Sequence, residues 1–231
     1  MGMTDRFEDQ KFVNAPYLFA DYCDWSFFKE RGTKIRYRKG SMINSLDYAD
    51  SIFYLDTGRI RTSVFSDEGE EKIIWIATRG NLFNLIALAS NIPDSLCHIA
   101  VADSVVYKIS KDMFIDLIRQ DSQKAINAIA DLSRVVKILS SHVEDMAFMK
   151  ASSRIAKYLY MLCQEQGTPT KNGIRINIKF THYEMAIYVG TCRVTVSNIF
   201  KDMEKNKIIS KENGYCVVND VEKLKERIIY L

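Results

Sequence analysis

Residues Phe180 to Lys211 read FTHYEMAIYVGTCRVTVSNIFKDMEKNKIISK, and this stretch decides the fold. Thr181 is followed three residues later by Glu184, the capping-box spacing that satisfies free amides at a helix start. Ala186 is small enough for a second helix to cross closely, and Gly190 suits the positive φ of a tight inter-helix turn. Thr191 offers a second N-cap, after which Val196, Ile199, Phe200 and Met203 form an apolar face at helical spacing. A small residue, a glycine four later and a branched apolar residue six after that give the order of a helix-turn-helix. The second helix turns Arg193, Val194, Ser197 and Asn198 away from its apolar face, where they can read bases in a major groove. Thr181, Thr191, Thr195 and Lys201 are placed to hold the DNA backbone. The alternative is an ordinary helical hairpin with a solvated polar face.

Charge favours the first reading. The chain has 231 residues and a net charge of +3. Residues 1–149 carry 18 Lys and Arg against 21 Asp and Glu, whereas residues 150–231 carry 14 against 8. The basic excess therefore lies in the segment that holds the helix-turn-helix, as a phosphate-binding module requires. A hydrophobic fraction of 47% and a charged fraction of 26% are those of an ordinary globular protein with a proper core. No apolar run approaches the roughly 18 residues of a membrane span, and the first residues lack a signal-peptide core, so no membrane partner and a cytoplasmic location are expected.

The five cysteines, Cys23, Cys97, Cys163, Cys192 and Cys216, are scattered singly, and no C-x-x-C pair exists. No metal site is expected from them. His98, His142 and His182 are isolated too, and read as surface or packed histidines. Ser/His/Asp order, HExxH, a P-loop and a glycine-rich nucleotide turn are all absent, so no catalytic residues are assigned and an enzyme is not expected.

Upstream, an aromatic-rich stretch from Ala15 to Arg31 reads as a short helix ended by Gly32. Short β runs follow at Lys34–Arg38, Ser51–Leu55, Arg59–Phe65, Lys72–Ala77, His98–Ala102 and Val105–Ile109, broken by glycine-containing turns. Such spacing suggests a closed antiparallel roll or jelly roll, a form that can hold one small ligand inside. One long helix is then expected from Lys111 to Met149. Within it Ile126, Ile129, Leu132, Val136, Leu139, Val143 and Met146 recur at spacings close to a heptad, which marks them as a dimer seam. The alternative is a helix packed on its own domain. Ala151–Gln166 is another amphipathic helix, and Ile208–Lys211 with Gly214–Val218 flank Glu212-Asn213 as a β-wing. The fold class is α+β, with domains at 1–110 (roll), 111–149 (long helix) and 150–231 (winged helix-turn-helix).

A β-roll, a seam helix and a winged helix-turn-helix in that order resemble the Crp/Fnr superfamily of bacterial transcription regulators. FYLDTGRIRTSVFSDEGEEKIIWIATRGNLF, MAFMKASSRIAKYLYMLC and VGTCRVTVSNIF carry the resemblance, which covers nearly the whole chain. It implies a cyclic-nucleotide-binding-like roll, a homodimer, double-stranded DNA as partner and, for an activator, RNA polymerase. Cyclic-nucleotide-binding members use a Gly-Glu-Leu run and a nearby arginine. Here the run is Gly80-Asn81-Leu82-Phe83-Asn84-Leu85-Ile86, with Leu85 in place of the ribose-binding acid and no arginine near Asp94-Ser95-Leu96. Cyclic AMP is not expected as the effector, because a buried phosphate without a cation is strongly penalised. The oxygen-sensing branch needs an N-terminal cysteine cluster, and only Cys23 is present.

What remains is a small-molecule effector pocket between roll and helix, lined by Trp75, Asn81, Asn84, His98, Arg134 and Ser140. Val194-Thr195-Val196-Ser197 resembles the halogenated-phenol-responsive subgroup, which points to an aromatic acid or phenol held by Arg134. Family members commonly carry a glutamate immediately after the recognition arginine, where this chain has Val194. Valine suits a thymine methyl and Asn198 suits adenine, so an A·T-rich palindrome is expected. A cyclic-nucleotide-dependent regulator of this fold, or a ligand-binding module that never touches DNA, are the alternatives.

Overall fold

The computed structural model describes residues 23–44, 48–88 and 96–230. The described chain divides into two compact units, residues 23–140 and 141–230. The first unit opens with helix α1 (Phe27–Arg31), the described end of the expected aromatic helix; Ala15–Tyr22 lie outside the described residues. Strands β1 (Thr33–Tyr37), β2 (Met42–Asn44), β3 (Ser51–Thr57), β4 (Ile60–Phe65), β5 (Glu71–Ala77), β6 (Leu82–Phe83), β7 (Cys97–Ala100) and β8 (Ser104–Ser110) follow. They form two antiparallel four-stranded sheets, ordered β1-β8-β3-β6 and β2-β7-β4-β5. The roll is the expected one. Its sheets meet where the Phe83 ring, stacked on its own sheet neighbour Phe53 at 4.8 Å, is set edge-on to His98 of the other sheet at 5.1 Å. Strand β3 is buried on both faces because Ile52 and Tyr54 turn to a second aromatic layer of Trp25, Phe28 and Phe114.

The expected single helix from Lys111 to Met149 is two helices, α2 (Lys111–Gln120) and α3 (Ser122–Phe148). Asp121 breaks them: its backbone is extended (φ −141°, ψ 103°), and its carboxylate accepts from the Gln123 amide at 3.0 Å. That side chain competes with helical pairing, as aspartate does at helix starts. One face of α3 is inward, with Ala128 and Ile138 buried. The division between units falls within α3, nine residues before the expected boundary at Met149. The last turns of α3 belong with the second unit because Asp145 pairs with Lys157 at 2.5 Å and His142 meets Tyr188 at 3.3 Å.

The second unit continues with α4 (Ala151–Gln166), strands β9 (Gly167–Thr170) and β10 (Gly173–Ile176), and helices α5 (His182–Val189) and α6 (Arg193–Lys205). Strands β11 (Ile209–Glu212) and β12 (Tyr215–Val218) and helix α7 (Val221–Glu226) complete it. Its sheet runs β11-β12-β10-β9, so the wing hairpin is continued by the strands that precede the helix pair. Asn213 (φ 51°) and Gly214 (φ 82°) turn that hairpin in the left-handed region, the conformation a two-residue turn between twisted strands needs. Among the described residues no helix is long and apolar enough to cross a membrane.

Candidate nucleic-acid interface

The helix pair α5–α6 is built by local chemistry. Thr181 Oγ1 accepts from the Glu184 amide at 3.0 Å, and Glu184 Oε2 accepts from the Thr181 amide at 2.7 Å, closing the capping box. Gly190 ends α5 at φ 70°, ψ 57°, and the Thr191 amide donates back to the Ala186 carbonyl at 3.0 Å. The expected N-cap Thr191 is not the cap. Helix α6 begins one residue later, with Cys192 Sγ accepting from the Thr195 amide at 3.5 Å. A thiol is a weak acceptor, so its side-chain type gave no signal for this role. The hydroxyl and then the amide of Thr195 hold the exposed Cys192 thiol below its ordinary pKa.

Val196, Phe200 and Met203 are buried and Ile199 half-buried, as the spacing of the apolar face requires. On the opposite side Arg193, Val194, Asn198 and Lys201 are exposed, Val194 to 68%. Ser197 differs from these neighbours. It is half-buried, and its hydroxyl donates to the Arg193 carbonyl at 3.0 Å and meets His182 Nδ1 at 2.9 Å. Thr195 Oγ1 is likewise held, 3.0 Å from Cys192 Sγ, whereas Thr181 and Thr191 flank the helix starts.

Three groups that sequence reasoning passed over complete this face. Arg154 donates to the carbonyls of Met149 (2.7 Å), Val189 (2.7 Å) and Gly190 (2.9 Å). One guanidinium thereby joins the end of the long helix to the turn of the helix pair, where helix dipoles favour a cation. Its only local signal is a charge lodged between buried Ser153 and Ile155. The ring centre of Tyr215 on the wing lies 4.6 Å from Lys179 Nζ and 5.4 Å from the Arg175 guanidinium. A groove of about 690 Å³ runs between the wing and the helix pair, and includes Arg193, Lys211 and Tyr215 in its walls.

The roll interior contrasts with this open face. Trp75, Asn81, Asn84 and His98 are all buried. Asn81 Oδ1 accepts from the Thr78 amide (2.8 Å) and hydroxyl (3.2 Å), closing a turn. Asn84, at φ 63°, donates to the carbonyls of Tyr48 (3.0 Å) and Ser51 (2.9 Å). Its Oδ1 lies 3.4 Å from His98 Nε2, and His98 Nδ1 lies 2.9 Å from Thr62 Oγ1. Asn84 and His98 are thus brought together, each anchored by the roll's own atoms. Arg134 pairs with Asp131 at 2.6 Å and reaches Cys23 Sγ at 3.8 Å, and Asp131 also accepts from Trp25 Nε1 at 2.7 Å. Arg134, expected to hold an effector, is thus paired here with a carboxylate three residues away on the same helix. Ser140 is exposed. Leu85 is buried, and Asp94-Ser95 lie outside the described residues. Among the described residues no cluster of metal-binding side chains occurs.

A β-roll sensor followed by a winged helix-turn-helix defines a DNA-binding regulator with an effector domain. Residues 34–121 match the family model of the cyclic nucleotide-binding domain and residues 153–227 that of the Crp-like helix-turn-helix domain. The chain belongs to the Crp/Fnr family of transcription regulators. It is 25% identical over 166 residues to the global nitrogen regulator of Nostoc sp., covering 71% of this chain and 74% of that protein. It is also 25% identical over 182 residues to the cAMP-activated global transcriptional regulator CRP of Escherichia coli, covering 78% and 86%. A CooA mutant from Carboxydothermus hydrogenoformans shares the fold, with a TM-score of 0.77 at 21% identity over 93% of this chain and 99% of that one. OCPA-complexed CprK shares it at a TM-score of 0.71 and 18% identity, over 92% and 99%. The regulator class, and not an enzyme, is what these relatives have in common.

Proposed function

We propose that the chain acts as a homodimer whose paired α6 helices enter successive major grooves of a palindromic, A·T-rich site. The observation that carries this is the α3 stripe. Ile126, Ile129, Leu132, Val136, Leu139, Val143 and Met146 are all exposed, by between 36% and 70%, on one helix of 27 residues. So long an apolar seam at heptad spacing is stabilised by a second copy of itself. The dimer axis then sets the two recognition helices about 34 Å apart, one turn of duplex. Val194 would pack on a thymine methyl and Asn198 pair with adenine, while Arg193 takes one guanine or a phosphate. Lys201 and the flanking threonines fix register on the backbone.

The effector we propose is a small molecule other than cyclic AMP, an aromatic acid or phenol being the class to test first. Leu85 supplies no acid for a ribose. Such an effector would repack the roll against α3 and so change the spacing of the helix pairs, linking its binding to DNA affinity. RNA polymerase is the partner wherever the site lies so as to activate, and the cytoplasm is where such a regulator works. Selection of bound duplexes by the full chain tests the DNA reading. Val194→Glu should move preference from thymine toward cytosine at one position of each half-site, by about 1–3 kcal/mol. Unchanged preference would remove Val194 from base readout.

A further inference from the structure

His182 opens helix α5, and its imidazole reaches across to the recognition helix, Nδ1 lying 2.9 Å from Ser197 Oγ. The Ser197 hydroxyl has one hydrogen, and it is given to the Arg193 carbonyl at 3.0 Å. The hydrogen between Ser197 and His182 therefore sits on Nδ1. That fixes the neutral ring as the Nδ1–H tautomer and leaves Nε2 as the nitrogen that titrates. The ring is held against Phe200, with centres 4.8 Å apart.

Every element packed around this ring contributes a charged or titratable group. Helix α6 brings Arg193 and Glu204, strand β11 brings Lys211, and strand β12 brings Tyr215 to the same groove. Helix α5 itself adds Tyr183, and Glu184, whose carboxylate is turned to Thr181. Burial first, and then Lys211, hold the imidazole below its ordinary pKa; Glu204 opposes them and Arg193 adds to them. In the free protein near neutral pH the ring is accordingly uncharged.

A duplex changes the sign of that environment. When Val194 and Asn198 enter a major groove, the cationic walls of Arg193 and Lys211 meet the phosphates that border it. Each phosphate offers acceptor oxygens and negative charge beside Nε2. We infer that His182 is a proton-linked DNA contact: a proton from solvent joins Nε2 on binding, and Nε2–H donates to a backbone phosphate oxygen while Nδ1–H stays on Ser197. No other bond forms or breaks. The inference rests on the DNA-binding reading above, and in the proposed dimer two protons are taken up per palindrome. It also accounts for Ser197 facing inward on an otherwise open face, since the serine aligns the ring and does not read a base.

The test is fluorescence anisotropy of the full-length protein on a selected palindromic duplex, from pH 5.5 to 8.5 at constant ionic strength, with His182→Gln and His182→Arg beside the wild type. Wild-type affinity should rise as pH falls, by about tenfold or more across the range. His182→Gln should bind with no such slope, and His182→Arg should bind tightly at every pH. Calorimetry in two buffers of different ionisation enthalpy should register proton uptake by the wild type and none by either variant. Wild-type binding that is flat in pH, or a slope retained by His182→Gln, overturns the inference while leaving DNA binding intact. Failure of all three proteins to bind any duplex at low salt overturns the DNA-binding reading itself.

Discussion

Helices α3 and α6 each carry an apolar stripe, and the fold treats the two oppositely. On α6 the stripe of Val196, Phe200 and Met203 is covered by the protein's own helices and wing. On α3 the seam stays open, with Val136 exposed to 61% and Val143 to 70%, although another face of that helix buries Ile138 and Ala128. Periodicity alone is the same signal in both places. What differs is whether the chain contains a surface to meet it, and for α3 the described residues supply none.

Substitution at the open stripe should give the largest effect. Val136→Asp places a carboxylate on the seam, so sedimentation should show a monomer and palindrome affinity should fall by about 100-fold or more. The melting of the isolated protomer should change little, because Val136 is 61% exposed on it. Phe200→Ala is the mirror case: it should destabilise the second unit by about 3–5 kcal/mol and leave the oligomeric state alone. A dimer that survives Val136→Asp would break the comparison.

The same pair of helices shows what the sequence could and could not tell. The capping box, Gly190 and the buried face of α6 were legible because each is fixed by residues within a few positions of one another. Six of the roll's eight strands were legible as β runs broken by turns, whereas β2 and β6, of three and two residues, are too short to show an alternation. The break at Asp121 was hidden, since no glycine or proline marks it and the helical spacing runs on beyond it. Arg154 was hidden for a different reason. Two of its three carbonyl partners lie 35 and 36 residues away, and backbone carbonyls leave no trace in side-chain pattern. His182 and Ser197, 15 residues apart, were read separately as a packed histidine and a base reader, whereas folding makes them one hydrogen-bonded unit.

Arg154 gives the next effect in size. Charge-assisted hydrogen bonds are worth about 1.5–3 kcal/mol, and Arg154→Ala strands three carbonyls at once. A loss of about 3 kcal/mol in thermal or denaturant unfolding is expected, with dimerisation unchanged because the α3 stripe is not touched. Arg154→Lys should fall between, since a single ammonium keeps the charge but lacks the planar fork that serves three acceptors. If Arg154→Lys were as stable as the wild type, the three-way clamp would not be what fixes the turn to the end of α3.

The smallest effects compare the two caps of the helix pair. Thr181→Ala removes the acceptor for the Glu184 amide and frees the glutamate that answers it, which should cost about 1 kcal/mol. Helix α5 has only eight residues, so losing its first turn removes a large part of it. At α6 the cap is a thiol, and Cys192→Ser substitutes an oxygen that accepts more strongly from the Thr195 amide, so stability should rise by a few tenths of a kcal/mol. Opposite signs in the melting temperatures of these two variants, with sedimentation unchanged in both, would show the helix pair to be stabilised within one protomer. A cap substitution that altered dimerisation would mean that the two stripes are not independent.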